Sequence, residues 1–184
     1  MAVICLLIIA VASLGFGFGA WSQNSNFTGP VSTGSFNVVF SSFTAPSSTL
    51  GATFSVYQQD SHTCNISLNN LYPTCSPAFN FVLQDPGTIP AKITDVKING
   101  ISIASGGSLT PINIDLDGDG KTDITITVAG INTSGASSQI AANNGTLSGS
   151  LTVRTWAKLS SDANDATANA SGSFTFEIDT AQNP

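Results

Sequence analysis

Four carboxylates fall within nine positions at Asp115-Leu116-Asp117-Gly118-Asp119-Gly120-Lys121-Thr122-Asp123, in a 184-residue chain that holds only 11 acidic residues. Brought together without a counter-charge they would repel one another, and a hard cation with oxygen ligands removes that cost. Carboxylates at loop positions 1, 3 and 5 (Asp115, Asp117, Asp119), a glycine at 6 (Gly120), a main-chain carbonyl at 7 (Lys121) and a carboxylate at 9 (Asp123) match most of a calcium loop. The match ends at position 12, where Ile126 stands in place of the bidentate Glu of a helix–loop–helix site. The flanking residues read as strands, so the expectation is a structural Ca2+ clamped between two strands, with Asp123 closing the shell. An acidic hairpin tip is the alternative, because Asp-Gly is itself a hairpin signal.

Cysteine gives the second constellation. Of the three cysteines, Cys5 lies in the hydrophobic first twenty residues, which leaves Cys64 and Cys75, eleven positions apart. The spacing leads to an expected disulfide, worth about 3 kcal/mol in the chain-entropy model, and the scarcity of other thiols fits an oxidising compartment. Two separate buried thiols are the alternative. Zinc would want four ligands, and only His62 is near. Five Asn-X-Ser/Thr sequons, at Asn26, Asn65, Asn132, Asn144 and Asn169, are candidate glycosylation sites of an exported chain, although a sequence so rich in Asn, Ser and Thr also produces sequons by chance.

Catalytic patterns are scarce. There is no HExxH, GxSxG or P-loop, Gly17-Phe18-Gly19 belongs to the hydrophobic start, and the single histidine, His62, has no carboxylate beside it in sequence that marks it as a base. The reading is not an enzyme. Charged residues are 9% of the chain and the net charge is −6, against about 25% charged in an ordinary soluble domain. Roughly one residue in three is Ser, Thr or Asn, so the solvated surface is neutral and hydroxyl- or amide-rich. Nucleic acid is excluded as a partner, since phosphate binding needs clustered Lys and Arg and the chain has five in all.

The elements that must position these residues are strands. Apolar and polar residues alternate over 35–40, 52–57, 79–83, 93–98, 112–114, 123–128, 147–153 and 173–178, with Gly, Pro, Asn or Ser clusters between most of them. The expected fold is all-β, an antiparallel β-sandwich or jelly roll in a single domain. Residues 1–20 differ from the rest. Their apolar run over 2–14 has the length of a signal-peptide core, short of a membrane span, and small residues follow up to Ala20. Cleavage after Ala20 is the expectation, with membrane contact only during export. No Lys or Arg forms a basic start to this segment, which leaves two alternatives, a true start further upstream or a retained hydrophobic tail.

Several stretches carry a family likeness. Ser13-Leu14-Gly15-Phe16-Gly17-Phe18-Gly19-Ala20-Trp21-Ser22, then Asn26-Phe27-Thr28-Gly29 and Thr33-Gly34-Ser35-Phe36-Asn37-Val38, resembles the leader-to-mature junction of the TasA/camelysin family. Pro86-Gly87-Thr88-Ile89-Pro90-Ala91-Lys92-Ile93 and the closing run from Ser173 to Asn183 are similar to further family segments, and the likeness extends to archaeal bundling pili. It implies a secreted jelly-roll subunit at the cell surface or in the extracellular matrix, polymerising head to tail with copies of itself by donor-strand exchange and bundling laterally. Residues 21–32 would then be the donor strand and 33–184 the sandwich. Trp21, Phe27 and Val31 share one parity and would face a neighbour's core. Two other readings stand beside this one: a type IV pilin-like subunit that keeps residues 1–20 as a helix, and a secreted camelysin-like protease. Glycines at 15, 17 and 19 interrupt the helix that the first requires, and the second lacks a zinc helix.

Overall fold

The computed structural model describes Ile4 and residues 34–47, 51–116, 120–156 and 170–183. The chain divides into two compact units, Met1–Thr33 and Gly34–Pro184, and Ile4 is the one described residue of the first. The second unit is built from thirteen described strands: β1 (Val39–Thr44), β2 (Thr53–Gln58), β3 (Thr63–Leu71), β4 (Ala78–Asp85), β5 (Ala91–Ile98), β6 (Ile101–Ser102), β7 (Ala104–Ser105), β8 (Ser108–Leu109), β9 (Ile112–Ile114), β10 (Ile124–Ala129), β11 (Gln139–Ile140), β12 (Gly145–Thr155) and β13 (Ala170–Gln182). Among the described residues a single 3-10 turn, Ala136–Ser138, interrupts them.

Hydrogen bonding sorts the strands into two main sheets. One runs β1-β4-β12-β10-β9, the other β11-β5-β13-β3-β2 with β6 also against β5, and β7-β8 forms a small hairpin of its own. Every described pairing is antiparallel. Alternation within each strand sends one set of side chains inward. Phe79, Phe81 and Leu83 of β4, Ile124 and Ile126 of β10, and Leu151 and Val153 of β12 meet Ile66 and Leu68 of β3, Ile93, Val96 and Ile98 of β5, and Phe174, Phe176 and Ile178 of β13 in one core. The two faces are bolted by aromatic rings. Phe176 of the second sheet lies 5.2 Å from Phe81 and 5.9 Å from Phe40 of the first, centroid to centroid, in tilted geometries that favour ring edges against ring faces. Gly149 makes the room for Phe81. It stands directly opposite Phe81 across β12 and β4, and a Cβ there would come within 2.4 Å of the ring.

The all-β antiparallel sandwich anticipated from the alternation is the architecture found. Besides the two-residue strands β6, β7, β8 and β11, which the alternation did not mark, two longer elements differ from expectation. The first strand is displaced from 35–40 to Val39–Thr44, because residues 35–37 spend their main-chain groups on the turn that follows β4. Ser35 O accepts the amides of Thr88 (2.7 Å) and Ile89 (3.0 Å), Ser35 N donates to Thr88 Oγ1 (3.1 Å), and Asn37 N donates to Asp85 Oδ1 (3.1 Å). Asp85 is fully buried, and the same Oδ1 accepts the amide of Gly87 (2.8 Å). Gly87 has to be glycine, since a Cβ would fall 2.3 Å from Ser35 O. The second difference is β3, a nine-residue strand that was not foreseen. Its alternation of buried Cys64, Ile66 and Leu68 with Thr63, Asn65 and Ser67 is regular.

Candidate functional site

The acidic segment is the loop of a β-hairpin. β9 and β10 pair Ile114 with Ile124, Asn113 with Thr125 and Ile112 with Ile126, so residues 115–123 close the gap between two strands, as the sequence implied. Asp117 and Asp119 lie outside the described residues. At the loop's start, Asp115 Oδ2 accepts the amide of Gly120 (2.7 Å), tying position 1 to position 6, and Gly120 has the left-handed φ of 86° that the turn needs. At its end Asp123 is buried, 4% exposed, with Oδ2 accepting the amide of Leu116 at 2.6 Å. Lys121 is exposed. Among the described residues no group of three or more His, Cys, Asp or Glu converges.

The expected disulfide is corrected. Cys64 and Cys75 are both buried free thiols. Cys64 is near the start of β3, and seven further residues of extended chain lead to Leu71, a span of roughly 23 Å at about 3.3 Å per residue. The four residues from Leu71 to Cys75 can recover at most about 14 Å of that, and a bridge needs Cα atoms within about 7 Å. The two thiols are therefore too far apart to be bridged. Cys75 is held by a turn, its amide donating to Tyr72 O, while Thr155 N and Oγ1 both donate to Cys75 O. Burial pushes the Cys64 thiol up to about 12 and raises that of Cys75.

His62 borders an open groove of about 660 Å3 with Phe36, Asp60, Thr94, Glu177 and Asp179. Its Nδ1 pairs with Ser61 Oγ at 2.8 Å. A triad would place a carboxylate on the imidazole, but Asp60 turns instead to the main chain, accepting the amides of His62 and Thr63 at 2.7 Å each. Those two bonds, the one from His62 first, hold the Asp60 carboxyl below its usual value. On the outer face nearby, Lys97 pairs with Asp179 (2.6 Å) and Glu177 (3.4 Å), which raises the lysine's pKa, the bond to Asp179 most of all.

The sequons divide by position. Asn144 is exposed in the turn before β12, Asn132 is half-buried after β10, and Asn65 is half-buried on β3 with its Nδ2 donating to Gln59 Oε1 at 3.2 Å. Asn26 and Asn169 are outside the described residues, as are Trp21, Phe27 and Val31 of the expected donor strand.

Sequence reasoning passed over a patch on the outer face of the first sheet. Trp156, just past β12, is 46% exposed, its Nε1 donates to Thr125 Oγ1 at 2.7 Å, and the guanidinium carbon of Arg154 lies 5.4 Å from its ring centroid. Thr125 Oγ1 in turn bonds to Asn113 Oδ1 at 2.8 Å. A lone Trp after a strand gives no signal of this, because its partners come from two other strands. No protein-family model matches the chain, and comparison with curated proteins and with solved structures finds no similar protein.

Proposed function

We propose that this protein is the secreted structural subunit of an extracellular filament, assembled by donor-strand exchange, in keeping with its resemblance to TasA/camelysin proteins and archaeal bundling pili. The observation that supports the reading is the free side of the edge strand β2. Among the described residues β2 has a strand neighbour on one side only, β3. A strand with an unpaired side is a template for another chain. On its core side β2 presents Phe54 and Val56, partly buried against the core, and Phe54 lies 6.1 Å from Phe79. An incoming segment with Trp21, Phe27 and Val31 on one face would pair with the β2 main chain and complete the cover over those side chains. A contact of this head-to-tail kind does not close on itself and so propagates.

Deletion of residues 21–31 tests the reading. The truncated protein is expected to stay monomeric under conditions in which the full chain forms filaments visible by negative-stain electron microscopy, and filaments from the truncated chain would refute the donor role. A start at or near Trp21 in the subunits of native filaments is expected. A start at Met1 or Ala2 would favour the pilin-like alternative.

Alongside assembly, a Ca2+ held in the 115–123 loop is proposed as a clamp. The fold supports it at both ends: Asp115 is tied to Gly120 as loop position 1 to position 6, and the Asp123 carboxylate is drawn inside at position 9. These residues would hold the ion and supply no chemistry beyond closure of the hairpin.

A further inference from the structure

From the patch around Trp156 we infer a binding site for a neutral glycan on the outer face of the β9-β10-β12 sheet, a site that does not depend on whether subunits polymerise. The case begins with how the ring is held. An exposed tryptophan ordinarily samples several rotamers, but here the indole is fixed on two sides, by the 2.7 Å bond from Nε1 to Thr125 Oγ1 and by the Arg154 guanidinium 5.4 Å from its centroid. With 46% of the residue still exposed, it is a preorganised apolar platform that loses little freedom when a ligand stacks on it. The 2.8 Å bond between Thr125 Oγ1 and Asn113 Oδ1 fixes the Asn113 amide and turns its Nδ2 donors away from Thr125.

Strand register sets the rest of the surface. Asn113, Thr125 and Arg154 form one row across the three strands, and Thr127 with Thr152 forms the next, all on the face that alternation turns to solvent. Rows two residues apart along a strand are about 7 Å from each other, and strands are about 4.8 Å apart, spacings on the scale of single sugar units. Of these five residues Arg154 alone is charged, and no carboxylate lies within β9, β10 or β12, the nearest on this face being the exposed Asp115 just past β9. A nucleic acid would need several cations here. A protein partner would need a wider apolar centre than one indole. A pyranose needs what is present: an aromatic face for its C–H side, on the part of the ring that the overlying Arg154 guanidinium leaves open, with amide and hydroxyl donors of Asn113, Thr127 and Thr152 nearby for its hydroxyl groups.

Such a glycan could be a free matrix polysaccharide or the N-linked sugar of a neighbouring copy, and two arms of one experiment separate them. Full-length protein is titrated calorimetrically with cellohexaose and chitohexaose in the first arm and with glycans released from the native protein in the second. Saturable binding is expected in at least one arm: in the first it assigns the site to matrix polysaccharide, in the second to neighbouring copies. Trp156→Ala is expected to weaken binding at least ten-fold at unchanged circular dichroism, with Asn113→Ala as a second, milder variant that leaves the indole in place. Absence of binding in both arms, or undiminished binding by both variants, overturns the proposal.

Discussion

Cys64 is a residue whose chemistry its surroundings change. Fully buried on β3, it is shielded from the water that would solvate a thiolate, and its pKa rises from the ordinary 9.0 to about 12. At neutral pH it behaves as a small apolar side chain and is a poor nucleophile. The consequence for stability has a definite sign. A group whose pKa is raised by folding contributes fully below its unfolded value, so the contribution is intact below pH 9.0 and is lost as pH climbs toward about 12, where the unfolded chain ionises and the folded one resists. Unfolding free energy measured by denaturant titration is therefore expected to fall across that window, and Cys64→Ala to fall less steeply. Equal slopes for the two proteins would contradict the assignment. The same burial explains why cysteine spacing alone misled: eleven positions look bridgeable in sequence, and an intervening strand makes them remote.

At the scale of elements, β13 joins the second sheet together and touches the first. It pairs with β3 through Ala170–Glu177 and with β5 through Phe176–Gln182, and it carries Phe176 into the ring cluster with Phe40, Phe43 and Phe81. Phe176→Ala removes the ring common to those contacts and is expected to cost about 3–5 kcal/mol, read as a lower denaturation midpoint at constant slope; a loss under about 1 kcal/mol would mean that the cavity collapses. The β9-β10 hairpin offers a different test. If Ca2+ closes its loop, EDTA should lower the melting temperature of the full chain and added Ca2+ restore it, and Asp123→Asn should reduce both responses; a melt indifferent to EDTA removes the ion from the account. Elements of this kind were readable in the sequence to the extent that their signals are local. Strict alternation marks β4, β10, β12 and β13, and carboxylates two residues apart mark the loop. The beginning of β1 was not readable, because what holds 35–37 out of the ladder is a turn some fifty residues away around Asp85 and Thr88. The Trp156 patch escaped for a related reason, since Asn113 and Thr125 reach it only once β9, β10 and β12 are in register.

For the whole molecule, the low charge fraction of 9% acquires a spatial meaning. The outward rows of β9, β10 and β12 hold one charge, Arg154, whereas the opposite sheet shows the Lys97, Glu177 and Asp179 cluster. Among the described residues the two broad faces are therefore chemically unlike. The end of the sandwich where the chain enters adds a further property. Residues 35–37 are fastened to the turn after β4 by bonds from Ser35 to Thr88 and Ile89 and from Asn37 to Asp85, before β1 has made its first ladder contact. In a filament joined through its N-terminal segments, every pull along the fibre axis would reach the subunit at this fastening. The bonds of two residues, Ser35 and Asn37, would then have to yield before β1 could peel from β4, and the buried carboxylate of Asp85 would carry part of that load.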